Sequence, residues 1–191
     1  MTHRHFILYK PDGYLSQFVN NQTKRKNKKL LGELFDFPEG TMAIGRLDEP
    51  SEGLLLLTTN GKVSEFVRSE KVEKEYYAQV DGLINQDAID KLKSGVEISA
   101  ENGPYLTKPC SVSLLTKTPN LAPRNRPIRN ERHGPTSWIA LTLNEGKYRQ
   151  VRKMTAVVGF PTLRLVRVRI GEIKLNSLLP SETKEVSVFE L

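Results

Sequence analysis

Hydrophobic and polar positions along the chain fall into short alternating or continuous runs more often than into helical stripes. His5 to Tyr9 predicts an opening strand, closed by Lys10-Pro11-Asp12-Gly13, where proline and glycine occupy positions that favour a turn. Met42 to Ile44 predicts a short strand. Leu54 to Thr59 is a continuous apolar run ended by the turn dipeptide Asn60-Gly61, too short for a helix, and predicts a buried strand. Lys74 to Val80 alternates, sending Tyr76, Ala78 and Val80 to one face and Tyr77 to the other. Val96 to Ile98, Pro109 to Leu115, Trp138 to Leu143, Leu163 to Ile170 and Lys184 to Glu190 read as further strands. In Leu163 to Ile170 the apolar residues do not share one parity, which predicts a bulge or register change near Val166. Helical spacing is confined to Leu30 to Phe37 before Pro38, Lys62 to Arg68, Gln86 to Ser94 with Gly95 as its stop, and the stretch from Gln150 that Gly159 ends. Many strands with few helices predict an α+β fold.

A length of 191 residues suffices for one compact domain or two small subdomains. The single cysteine, Cys110, excludes an internal disulfide framework and a cysteine-based metal cluster. Three histidines make no case for a metal, and with Gly-x-x-x-x-Gly-Lys absent there is none for a nucleotide cofactor. No signal-peptide core is visible, and no stretch approaches the roughly 18 apolar residues of a membrane span. A cytoplasmic protein without a membrane partner is expected.

Charge sharpens the picture because it is clustered. The formal net charge is +7. Between Gly146 and Gly171 lie Lys147, Arg149, Arg152, Lys153, Arg164, Arg167 and Arg169 without one acid; Lys24, Arg25, Lys26, Lys28 and Lys29 form a second run, and Arg124, Arg126, Arg129 and Arg132 a third. Such runs suggest a polyanion, most simply a nucleic acid held by its phosphates. The polar stretch from Asn20 to Lys29 reads either as a solvated loop or as one that orders on RNA. The proline-rich stretch from Lys117 to Pro135 is a functional loop or a disordered one.

The chemistry concentrates before the buried strand. Gly45-Arg46-Leu47-Asp48-Glu49-Pro50-Ser51-Glu52-Gly53 is a polar loop bracketed by glycines, which permit a tight path and hold Asp48 at the rim of a core. This loop resembles motif II of the pseudouridine synthases, whose Gly-Arg-Leu-Asp carries the catalytic aspartate. Lys10-Pro11-Asp12-Gly13-Tyr14 is similar to motif I, whose role in the family is mainly structural. Lys74-Glu75-Tyr76 resembles the next motif, and Arg149-Gln150-Val151-Arg152-Lys153-Met154 resembles motif III. The last of these, with the short aspartate loop, is similar to the RsuA-type ribosomal RNA branch. Gly134-Pro135-Thr136-Ser137-Trp138 and Gly159-Phe160-Pro161-Thr162-Leu163-Arg164-Leu165 resemble members of that branch that act on the large subunit.

The resemblance implies a pseudouridine synthase fold: a mixed, largely antiparallel sheet in two subdomains around a central catalytic cleft. Residues 1–191 would form one catalytic domain, without the N-terminal S4 domain that many members of the branch carry. It implies isomerisation, without cofactor or metal, of a specific uridine in ribosomal RNA, expected to be 23S, by a monomer. Asp48 would be the catalytic carboxylate and Arg152 its charge partner; Tyr76 would pack on the target uracil, although the strand pattern suits a core tyrosine equally. Arg46 would fill the place the flipped base vacates, Val151 would line its other side, and Arg149, Lys147 and Lys153 would bind RNA. Two other readings stand beside it: a non-catalytic RNA-binding or ribosome-assembly protein with the same fold, and a glycoside hydrolase in which Glu49 or Glu52 supplies a second carboxylate.

Overall fold

A computed structural model describes residues 2–20, 27–129 and 131–191. In chain order these form β1 (His5–Lys10), β2 (Met42–Ala43), β3 (Glu52–Thr58), α1 (Gly61–Arg68), β4 (Lys74–Asp81), α2 (Gln86–Ser94), β5 (Glu97–Ala100), β6 (Gly103–Leu106), β7 (Ser111–Leu115), β8 (Thr136–Leu143), α3 (Gln150–Val157), β9 (Thr162–Ile170), β10 (Ile173–Lys174) and β11 (Thr183–Val186). The class is α+β: β1 pairs antiparallel with β11 and β3, β2 with β3, β9 with β10, β4 with β8, β5 with β6 and β7 with β8, and an isolated parallel bridge joins Tyr14 and Lys29. The chain divides into two units, residues 1–72 with 167–191, and residues 73–166, so that β9 contributes to both.

The first unit is built on β3. Every residue of that strand is buried, and Leu54, Leu55, Leu56 and Leu57 are wholly so; each leucine removed from water contributes about 1.5–3 kcal/mol. β1 lies beside it in the register His5↔Thr58 through Lys10↔Gly53, with β11 on the outer side of β1 and β2 on β3. The last part of β9 also lies against β3: the Arg167 Nε donates to the Leu54 carbonyl at 2.7 Å. One face packs Phe6, Leu8, Leu31, Leu55 and Leu57 under Phe18 and Phe37. Leu30 to Phe37 is not the predicted helix but a single 3-10 turn at Leu31–Glu33. The cause is aromatic packing. Phe35 and Phe37 both reach Phe6, at ring separations of 5.7 and 5.3 Å, and residues two apart on a helix do not face the same way. Asn60 caps α1, its Oδ1 accepting from the Lys62 and Val63 amides at 3.0 and 3.4 Å.

The second unit orders its strands β9-β4-β8-β7. β4 and β8 pair along their full length, Lys74↔Leu143 to Asp81↔Thr136. Tyr76, Ala78 and Val80 face one core with Ile139, Leu141 and Met154, as the alternation predicts. α2 covers β7 and follows the predicted bounds, Gln86–Ser94, with Gly95 at φ +99° ending it. The β5–β6 hairpin contains a strand, Gly103–Leu106, that the sequence pattern does not announce. β9 is a single nine-residue strand. Its broken parity is met by burial of both faces from Arg164 to Val168.

Candidate active site

In the first unit the loop between β2 and β3 is fastened to the end of β1. The Leu47 side chain is buried, and both its backbone groups are satisfied by one hydroxyl: the Leu47 amide donates to Ser16 Oγ and that hydroxyl donates to the Leu47 carbonyl, each at 2.9 Å. The Asp48 carbonyl accepts from the Ser51 amide at 2.9 Å, closing a four-residue turn through Glu49 and Pro50. The Glu49 carbonyl accepts from the Gly13 amide at 2.9 Å and from Lys10 Nζ at 3.3 Å. Asp48 is therefore half-buried on a loop whose residues on both sides are held by backbone hydrogen bonds. Arg46, two residues before it, is exposed.

Both bracketing glycines have left-handed backbone, Gly45 at φ +70° and Gly53 at φ +102°. Gly53 has a second reason to be glycine, because an added Cβ would lie 2.2 Å from the Arg167 carbonyl oxygen.

Lys10 is the residue whose importance the sequence pattern does not convey. Its side chain is fully buried, and Nζ also donates to the Pro11 carbonyl at 2.9 Å. Burial pulls its pKa down to about 7, against the opposing pull of Asp12, Glu52, Glu49 and Asp48. The ammonium thus belongs electrostatically to the aspartate loop. The signal available in sequence was the lysine directly before Pro-x-Gly, but nothing there distinguishes a buried lysine from a turn-flanking surface one. Of the two carboxylates a hydrolase would need as a partner to Asp48, Glu49 is ion-paired with Lys28 and Glu52 is 2% exposed. The Cys110 thiol is pushed up to about 11, chiefly by burial, which disfavours the thiolate.

In the second unit, Lys147, Arg149, Val151, Arg152 and Lys153 gather on the turn and first residues of α3. Lys147 and Arg149 are exposed; Arg149 precedes the helix with φ +54°. Val151 is 4% exposed and packs in the core. Arg152 is half-buried, its Nη1 donating to the Thr162 carbonyl at 3.2 Å, and Lys153 Nζ donates to the Ser99 carbonyl at 2.6 Å. Tyr76 is half-buried against the same core. The sequence pattern assigns no role to Gln150 or Glu145 individually. Glu145 accepts from Gln150 Nε2 at 2.6 Å, from the Tyr105 hydroxyl at 2.5 Å and from the Lys108 amide at 2.9 Å, bracing the start of α3.

The basic runs are less available than their charge suggests. Arg164 and Arg167 are buried, donating to the carbonyls of Ala122 and Leu54 at 2.8 and 2.7 Å. Arg169 donates to the Gly171 carbonyl at 2.9 Å, and Arg129 grips Asp81 with both terminal nitrogens. Lys28 is taken by Glu49, while Lys24, Arg25 and Lys26 lie outside the described residues. The exposed cations of the third run are Arg126 and Arg132. No helix among the described residues is long and apolar enough to cross a membrane.

Comparison with known proteins supplies the family. Residues 4–157 match the RNA pseudouridylate synthase family. The chain is 42% identical over 176 residues to the ribosomal large subunit pseudouridine synthase E of Xanthomonas axonopodis pv. citri, covering 91% of this chain and 89% of that protein. It is 39% identical over 191 residues to the protein of the same name from Vibrio vulnificus, covering 98% and 77%. A crystal structure of a pseudouridylate synthase superposes with a TM-score of 0.74 at 26% identity, over 96% of this chain and 70% of that one. By the family match over residues 4–157 and the 42% identity over nine-tenths of its length, the chain belongs to the RNA pseudouridine synthase family and is an isomerase of RNA uridines.

Proposed function

We propose that this synthase isomerises a specific uridine of large-subunit ribosomal RNA, with Asp48 as its catalytic carboxylate. The observation that carries the reading is the fastening of the Arg46-Leu47-Asp48 loop by Ser16, Gly13 and Lys10, which holds one carboxylate at a fixed place in a chain similar over nine-tenths of its length to enzymes of that name.

The reaction breaks the bond from uracil N1 to ribose C1′ and forms one from C5 to C1′; C5 loses a proton and N1 gains one, so no cofactor is consumed. Breaking a glycosidic bond develops oxocarbenium character at C1′. A carboxylate lowers that barrier by adding to the centre or by stabilising it electrostatically. Arg152 is proposed as the cation that favours the ionised carboxylate. The target base must leave its stack before any side chain reaches the sugar, at a cost of a few kcal/mol. Arg46 is proposed to fill the vacated place, Tyr76 to pack on the flipped uracil, and Val151 to bound it on the other side. Lys147, Arg149 and Lys153 are proposed to hold phosphates. The catalytic domain of 1–191 is proposed to act as a monomer in the cytoplasm.

The test is carbodiimide-stop mapping of pseudouridine on ribosomal RNA from cells with the wild-type gene, a deletion, or Asp48→Asn. One large-subunit site is expected to vanish in both altered strains while Asp48→Asn protein still binds RNA. Retention of every site in both would refute the reading in favour of a binding-only protein.

A further inference from the structure

Tyr148 is 75% exposed, in the turn from Lys147 to Gln150, whose two charged side chains are both cationic. Lys147 and Arg149 flank it, both exposed, and Lys153 Nζ lies 5.3 Å from its ring centroid while anchored on the Ser99 carbonyl. A large ring left in water forfeits the stabilisation that burial supplies. Its surroundings say what covers it. At a protein interface an aromatic anchor sits in a core depleted of charge, whereas every charged neighbour of Tyr148 along the turn is positive. Proteins that bind unpaired nucleic acid combine these features: an aromatic face for a base and cations for the phosphates on either side.

The turn is also held firmly enough to present a ring. Both Glu145 carboxylate oxygens are engaged, by Tyr105, Lys108 and Gln150. Gln150 Oε1 in turn accepts from the Lys147 amide at 2.8 Å, and Lys147 Nζ lies 4.4 Å from the Tyr105 ring centroid.

We infer that Tyr148 is a base-stacking residue: its exposed ring takes an unpaired base of the RNA other than the isomerised uridine, while Lys147 and Arg149 take the adjoining phosphates. The inference rests on the reading that the substrate is ribosomal RNA. Stacking is tolerant of base identity, so Tyr148 contributes affinity and placement of the strand, and the choice of nucleotide lies elsewhere.

The probe is unmodified 23S ribosomal RNA transcribed in vitro with tritium at uridine C5. Filter retention reads its affinity for the full chain, and tritium release reads isomerisation. Tyr148→Ala and Tyr148→Leu are expected to weaken binding about 5- to 100-fold, without changing the slope of log affinity against log salt, and with the loss expressed in KM. Tyr148→Phe keeps the ring and recovers the affinity. Lys147→Gln instead lowers that slope by about 0.7–0.9. Wild-type affinity in Tyr148→Ala, or equal affinity in the Leu and Phe variants, overturns the inference while leaving the substrate reading intact. Wild-type protein that binds the transcript and releases no tritium overturns the substrate reading; the stacking inference then stands if the Ala variant still binds more weakly.

Discussion

Replacing Gly53 by alanine tests whether the aspartate loop is fixed by the close approach of two backbones. At φ +102° an L-residue carries a strain of about 1–2 kcal/mol. The new Cβ would also lie 2.2 Å from the Arg167 carbonyl oxygen and 2.7 Å from its amide nitrogen, both backbone atoms that no rotamer change relieves. Forcing a group into so full a space costs about 1–3 kcal/mol more, for about 2–5 kcal/mol in all. Gly45 is the internal control. Its φ is +70°, yet an added Cβ meets nothing within 4 Å, so Gly45→Ala carries the backbone strain of about 1–2 kcal/mol alone. With a urea m-value of about 2–3 kcal/mol per molar, Gly53→Ala should lower the unfolding midpoint by about 1–2 M and Gly45→Ala by about 0.5 M. Equal midpoints for the two variants would refute the claim that contact with Arg167, and not backbone angle, makes Gly53 glycine. Tritium release adds a second readout: since Gly53 adjoins the turn that carries Asp48, the Gly53 variant should lose turnover even in urea-free buffer where it remains folded.

Ser16→Ala removes the one group that satisfies both Leu47 backbone atoms; a loss of about 1–3 kcal/mol in urea stability, with RNA affinity kept and turnover reduced, is expected, and undiminished turnover would show that the loop holds itself. Lys10 gives a pH signature. Its folded pKa near 7 lies below the ordinary 10.5, so between these values the unfolded chain binds more protons and stability from this group rises with pH. Urea titrations at pH 6.5, 8 and 9.5 should show wild type gaining stability relative to Lys10→Met as pH rises, and the opposite slope would refute a buried, readily neutralised amine.

The elements that sequence periodicity conveyed best were those whose neighbours agree with local preference. α2 has an Asn85 cap, a narrow stripe of Ala88, Ile89 and Leu92, and Gly95 where the backbone turns left-handed, and its bounds were readable to the residue. β3 was legible because a run of leucines that short has to be buried on both faces. Where tertiary packing overrules local preference, the sequence misleads: the Phe35 and Phe37 rings both seek Phe6, and the helix predicted there gives way to one turn. β6 escaped notice because Gly103 and Pro104 argue against a strand until Ser99 and Ala100 are seen opposite them. The candidate site divides in the same manner. Asp48 and the basic turn were visible as motifs, while the roles of Ser16, Lys10 and Glu145 rest on partners 31, 39 and 40 residues distant. Net charge was the weakest guide, since an arginine bonded to a buried carbonyl, such as Arg167, counts the same as one in water.

The clamp between residues 10–16 and residues 45–53 joins two stretches at a register set by Lys10↔Gly53. Ser16 reaches Leu47 and Gly13 reaches Glu49 only because each arm leaves that pairing with its present number of residues. Lengthening or shortening either arm by one residue offsets every bond in the clamp at once, and no change at a single position in the other arm restores them. The two stretches are thus locked in length to one another, and insertions or deletions tolerated by this enzyme must fall outside both.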